Sequence, residues 1–125
     1  MNWKPDNYPS MSPYLICQDG DALIRFIEQA FGGVLQRRYD RDDGSVMHAE
    51  VRIDDSIIMM GCPPTPVGSS TSHIHLYVPD ALTVFDQSVK AGARVVQVPM
   101  RKDEGDDLRG GVQDPSGTTW WIASQ

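Results

Sequence analysis

A chain of 125 residues, 40% hydrophobic and 22% charged, has the make-up of one compact domain or two very small ones. Its 17 acidic residues outnumber its 11 Lys and Arg, for a net charge of −6 and a pI near 4.8. That balance argues against nucleic acid and anionic membranes as partners, because both need clustered basic side chains. No apolar run approaches the roughly 20 residues of a membrane span. Met1 to Pro9 lacks the apolar core of a signal peptide. Cys17 and Cys62 lie in different segments without metal-type spacing, which fits a reduced, cytoplasmic protein whose cysteines act as small buried hydrophobes.

In chain order, residues 1–11 are polar and broken by Pro5 and Pro9, so they read as an extended arm that Trp3 and Tyr8 could pin to a surface. Pro13 to Cys17 reads as a short buried strand. Asp19 or Asp21 then offers an N-cap to a helix with Leu23, Ile24, Ile27, Ala30 and Phe31 on one face, stopped by Gly32-Gly33. Val34 to Asp40 is a strand, and Asp42-Asp43-Gly44 a hairpin turn. In Val46 to Ile53, strict alternation puts Val46, His48, Glu50 and Arg52 on one face and Met47, Ala49, Val51 and Ile53 on the other. Asp54-Asp55 turns the chain into Ile57 to Met60. Residues 12–61 thus form a β-α-β-β-β module, and residues 62–72, rich in Pro, Ser and Thr, a linker.

Residues 73–125 repeat the plan. Asp21-Ala22-Leu23 with Phe26 recurs as Asp80-Ala81-Leu82 with Phe85 at one constant offset, and each copy runs to a glycine and a valine-rich segment. His73 to Val78 is a strand, Asp80 to Ala91 a helix ended by Gly92, and Arg94 to Val98 a strand. A polar loop over Arg101 to Asp107 follows. Gly110 to Gln113 and Thr118 to Ala123 close the copy as a hairpin around Asp114-Pro115-Ser116-Gly117. Gly110-Gly111 reads as a turn or bulge. Modules of about 60 residues bury little surface alone, so they are expected to share a core with each other or with a second chain. The fold class is α+β.

Several segments together resemble the glyoxalase/bleomycin-resistance/extradiol-dioxygenase group, the vicinal oxygen chelate superfamily. They are Ser12-Pro13-Tyr14-Leu15, Ala30-Phe31-Gly32, Met47 to Ile53, Leu76 to Asp80, and Asp114-Pro115-x-Gly117-x-x-Trp120. The resemblance implies paired β-α-β-β-β modules whose curved mixed sheets surround a cleft, commonly in a homodimer with modules paired within or between chains. It implies no single function, because the site decides function and the fold does not.

Metal-dependent members place a His or Gln on the first strand of each module and a Glu on the last. Carried across, those positions fall on Ser12 (or Tyr14, by the ungapped helix repeat), Met59, His73 and Trp121. One imidazole facing a thioether and an indole lacks the three or four N or O donors that a divalent ion needs, so no metal or other cofactor is expected. His48 and Glu50 on one strand face, with His73, are the fallback ligands, and His75 shares the face of His73. Their plainer roles are cross-strand polar pairs for His48 and Glu50 and a packed strand position for His75. The acidic pairs Asp42-Asp43, Asp54-Asp55 and Asp106-Asp107 read as solvated turns.

What remains is a cleft rich in aromatics and thioethers: Tyr14, Tyr77, Met47, Met59, Met60, Met100, Trp120 and Trp121. Alternation sends Trp120 and Trp121 to opposite faces, so one of the two is expected to face the cleft, and Met59 is separated from Met60 in the same way. Tyr14, Met59, His73, Trp120 and Trp121 are the expected ligand contacts. The expected function is non-catalytic sequestration of an aromatic small molecule, such as an antibiotic with planar chromophores, by offset stacking and an adaptable thioether wall. The alternative is a metal-dependent lyase, isomerase or dioxygenase of the same superfamily.

Overall fold

The computed structural model of the chain describes residues 3–65 and 72–125. Most of the linker expected over 62–72 therefore lies outside the described residues. Module one contains β1 (Tyr14–Ile16), α1 (Gly20–Phe31), β2 (Val34–Asp40), β3 (Val46–Ile53) and β4 (Ser56–Gly61). Module two contains β5 (His73–Tyr77), α2 (Ala81–Lys90), β6 (Arg94–Met100), β7 (Leu108–Gln113) and β8 (Thr119–Ser124). Each module builds one mixed four-stranded sheet, in the orders β1-β4-β3-β2 and β5-β8-β7-β6, with the first strand parallel to the last. The expected α+β class and the doubled β-α-β-β-β plan hold.

The helices start where carboxylates can cap them. Asp19 accepts from the Ala22 N–H at 3.0 Å and Asp80 from the Thr83 N–H at 3.3 Å, each satisfying a first-turn donor that has no helical partner. Gly32 ends α1 at φ 67°, a left-handed cap that glycine adopts without strain.

Each helix lies on one face of its own sheet, and α1 and α2 pack on each other. Phe31 of α1 also meets Trp120 of β8, with ring centroids 4.6 Å apart. The helix pair therefore sits between the two sheets, and a single hydrophobic cluster runs from Leu15, Ile27 and Val51 in module one to Phe85, Val112 and Ile122 in module two. The halves share a core, as their small size requires. The uncovered face of each sheet is turned away from the helix pair. Among the described residues, no helix is long and apolar enough to cross a membrane.

Two local expectations are overturned. Val46 is buried in the core and Met47 is exposed, because a register shift between Tyr39 and Asp40 reverses the alternation at the start of β3. Gly110 and Gly111 are not a turn: both lie inside β7 in regular pairing with β8. The β6–β7 ladder shifts register on either side of Gly111, so only the bulge half of the expectation holds. A Cβ on Gly110 would stand 2.8 Å from the Phe85 ring, and one on Gly111 2.7 Å from the Trp121 indole. The glycine pair lets a helix side chain press on one side of β7 and an indole pack close on the other.

Candidate functional site

The site is best built from the two uncovered sheet faces. On sheet two, β5 presents His73, His75 and Tyr77, β8 presents Trp121, and β7 presents Arg109 and Gly111. Gly111 pairs directly with Trp121, so the indole rests over bare backbone. The Arg109 guanidinium stands 5.4 Å from the ring. His73 lies nearly parallel to the indole, at 9° and 6.2 Å between centroids, and accepts its N–H at Nδ1, 3.1 Å away. A neutral imidazole that accepts at Nδ1 carries its proton on Nε2. His73 thus has no lone pair turned outward for a metal.

Beside this platform is a groove of about 520 Å³, lined by Gln97, Met100, Lys102, Asp106, Asp107 and Arg109. That volume is in the ordinary range for small-molecule sites. Tyr77 donates to the Asp107 carboxylate at 2.7 Å, which ties the β6–β7 loop to β5 and raises the phenol pKa. Asp107 is therefore a structural acceptor, in addition to belonging to a solvated loop. His75 is exposed beside Tyr77 and not packed as a strand histidine would be.

On sheet one the same layout carries different chemistry. Tyr14 lies over Gly61, where a Cβ would stand 2.7 Å from its hydroxyl. The Tyr14 hydroxyl lies 3.2 Å from His48 Nδ1, and His48 Nε2 lies 2.9 Å from Glu50 Oε2. An ionised carboxylate only accepts, so His48 donates from Nε2 and meets Tyr14 with Nδ1. Glu50 is only 5% exposed. Burial pushes its pKa up, but hydrogen bonds from His48 and Tyr8 and the charges of His48 and Arg37 outweigh it, and the net shift is downward. Arg37 Nε is 4.0 Å from Glu50 Oε1. Met59 stands directly across the ladder from both Tyr14 and Glu50.

The N-terminal arm lies on this face. The Tyr8 hydroxyl donates to Glu50 Oε1, Arg37 covers the Tyr8 ring at 5.5 Å, and Arg52 donates to the Asn7 carbonyl. Sequence reasoning allowed that Tyr8 could pin the arm but not where it would dock.

The expected ligand contacts separate into two groups on different sheets. Tyr14 and Met59 share the first face, and His73 and Trp121 share the second. Trp120 belongs to neither. It is fully buried toward the helices, packed on Phe31, and its indole N–H donates to Asp114 at 2.7 Å. Asp114 also accepts from the backbone N–H groups of Ser116 and Thr118. The spacing Asp114-Pro115-x-Gly117-x-x-Trp120 is therefore a turn-locking device, and it carried the signal that Trp120 is structural.

The fallback metal set does not assemble within the chain. His48 and Glu50 pair on sheet one while His73 engages Trp121 on sheet two, and no three His, Cys, Asp or Glu side chains gather around a common point among the described residues. His48 and His73 each spend a ring nitrogen on a neighbouring side chain, and the thioether of Met59 and the indole of Trp121 are poor ligands for a divalent ion. Arg109, Gln97 and Arg37 were the residues missed. Arg109 was recoverable, since it shares the strand parity of Gly111.

Cys17 and Cys62 are buried as expected, and they also meet. They follow the β1–β4 pairing of Ile16 with Gly61, their sulfurs are 3.1 Å apart, and burial together with the Cys62 contact pushes the Cys17 thiol pKa up.

Comparisons with known proteins agree with this architecture. Two uncharacterised proteins, from Mycobacterium bovis and Mycobacterium tuberculosis, are each 32% identical over 90% of this chain, covering 80% and 72% of their own lengths. Among solved structures, TioX from Micromonospora sp. ML1 superposes with a TM-score of 0.78 at 23% identity, over 93% of this chain and 98% of that one. The fosfomycin resistance protein FosX from Mesorhizobium loti gives 0.69 at 16% identity, over 94% and 92%. At these identities the structural likeness shows the fold alone. The family model for the Glyoxalase/Bleomycin resistance protein/Dioxygenase superfamily matches residues 11–122, and with doubled modules over that same span the chain belongs to this superfamily.

Proposed function

We propose that the protein is a non-catalytic binding protein that sequesters an aromatic small molecule, with antibiotics carrying planar chromophores as the ligand class. The observation that carries this reading is the Trp121 platform: an indole packed against Gly111, flanked by His73 and Arg109, beside a groove of about 520 Å³. A flat aromatic ring gains offset stacking there, and the thioethers of Met59 and Met100 offer adaptable walls. Trp121 stacks on the ligand, Met59 packs against it, and Tyr14 and His73 supply polar contacts. The shared fold with a protein named for fosfomycin resistance is in keeping with a protective role.

A homodimer completes the cleft. Within one chain the uncovered sheet faces point away from each other, and edge strands β2 and β6 expose Val34, Leu35, Val95, Val96 and Val98. Exposed apolar surface of this kind marks an association site. A second copy would set one module's open face against the other's, in the cytoplasm where the paired thiols stay reduced.

The test is tryptophan-fluorescence quenching by planar aromatic antibiotics in a Trp3→Phe background, where Trp121 is the one indole not fully buried. Saturable quenching at one ligand per cleft, lost in Trp121→Ala, supports the reading. A stoichiometric, micromolar-affinity metal in protein purified without added metal would overturn it, as would the absence of quenching across the series.

A further inference from the structure

The open face of sheet one already holds an aromatic ring, one supplied by the protein itself. Glu50 lies mid-strand in β3 and has two oxygens to satisfy. Oε2 takes the His48 N–H from the same strand, a fixed partner. Oε1 takes the hydroxyl of Tyr8, which belongs to no strand or helix. The Arg37 guanidinium stands over the face of the same ring, and its Nε is 4.0 Å from the carboxylate. A buried, ionised carboxylate accepts hydrogen bonds and cannot donate them, and a cation over the ring favours an electron-rich π system. Together these groups recognise a hydroxyl-bearing aromatic ring, whatever molecule carries it.

We propose that this face is a binding site for hydroxyaryl ligands and that Tyr8 occupies it as a tethered stand-in, so a phenolic ligand binds by displacing the arm. The inference rests on the binding reading above and specifies its ligand class.

The arm is built for that role. The Tyr8 N–H bonds to the Pro5 carbonyl at 3.3 Å, closing a turn in which Asn7 takes φ 65°, a left-handed conformation that Asn tolerates better than most residues. The turn aims the Tyr8 ring at Glu50. Among the described residues little else holds it there: Arg52 bonds the Asn7 carbonyl, and Lys4 bonds Ser10 within the arm at 3.1 Å. No ladder among the described residues pairs the arm to the sheet. Release therefore breaks a few side-chain contacts and no secondary structure. A tethered competitor acts at a high effective concentration, so the arm lowers apparent affinity and sets a threshold that weak aromatics do not pass.

The test uses p-cresol, which is the tyrosine side chain as a free molecule, and its O-methyl ether, which keeps the ring and loses the donor. Both are titrated into wild type and Tyr8→Ala, following the NMR resonances of His48 and Tyr14. The proposal expects p-cresol to bind Tyr8→Ala about tenfold more tightly than wild type. Within Tyr8→Ala it expects the ether to bind about tenfold more weakly than p-cresol, because Glu50 Oε1 is then left without a donor while Oε2 keeps His48. Equal binding of the two probes to Tyr8→Ala overturns the proposal and leaves the stacking site on sheet two standing. Failure of p-cresol to bind Tyr8→Ala, while planar antibiotics still quench Trp121, overturns it in the same way. Failure of both probes and of quenching removes the binding reading itself. Glu50→Gln in the Tyr8→Ala background should abolish the preference for p-cresol, and the two-probe comparison decides the matter even if that variant does not fold.

Discussion

The two modules solve one packing problem with one device and then diverge. In each, a large aromatic packs against a glycine of the neighbouring strand where a Cβ would collide with it, Tyr14 at Gly61 and Trp121 at Gly111. Around that common pose, module one gathers a buried carboxylate, an imidazole and three phenols, while module two gathers an indole, two imidazoles, a phenol and a guanidinium. The scaffold fixes where an aromatic can rest, and the side chains around it decide what that surface recognises. One half is suited to hydrogen-bond donors and the other to bare π faces.

Four experiments break or sharpen this contrast. The largest effect is expected from Trp120→Ala, which empties a fully buried indole site shared by both modules and orphans Asp114; it should cost about 3–5 kcal/mol in chemical denaturation. Trp121→Ala, one residue on, should leave stability nearly unchanged and abolish stacking. If the two behave alike, the assignment of opposite faces is wrong. Next, Gly110→Ala should destabilise by about 1–3 kcal/mol, because its Cβ meets the Phe85 ring packed between helix and sheet. Gly61→Ala should cost less, since half-exposed Tyr14 can swing aside into solvent.

Third, stability should depend on pH through Glu50. Its pKa is lowered on folding from the ordinary 4.5, so its contribution is present above that value and lost as pH falls through the folded pKa. An acid titration of Glu50→Gln should lack that component of the decline; an identical curve would show that His48 and Tyr8 do not hold the charge. The smallest effect is expected from Asp19→Ala, which removes the α1 cap for about 1 kcal/mol by thermal or denaturant unfolding.

The doubled fold was legible because the repeat, the capping aspartates and the helix-stopping glycines are all local signals. The site was legible by half. Alternation separated Trp120 from Trp121 but could not say which of them met the core, since that depends on where α1 sends Phe31. The register shift in β2 and β3 that exchanges Val46 and Met47 leaves no mark in the pattern of either strand alone. Gly110-Gly111 reads as a turn from composition, while its reason is spatial: Phe85 on one side and Trp121 on the other. The docking of Tyr8 on Glu50 joins residues 42 positions apart with no pairing motif between them.

The sulfur pair at the ends of β1 and β4 has one more consequence. Cys17 and Cys62 are 3.1 Å apart, both are buried, and the Cys17 thiol is disfavoured as a thiolate. An alkylating reagent has no room to reach either sulfur while the strands stay paired. Labelling must wait for β1 to peel from β4, so its rate at saturating reagent is a stopwatch on the fraying of a single edge strand. Since β1 also carries Tyr14, the same stopwatch would time how often the module-one face loses its outer wall.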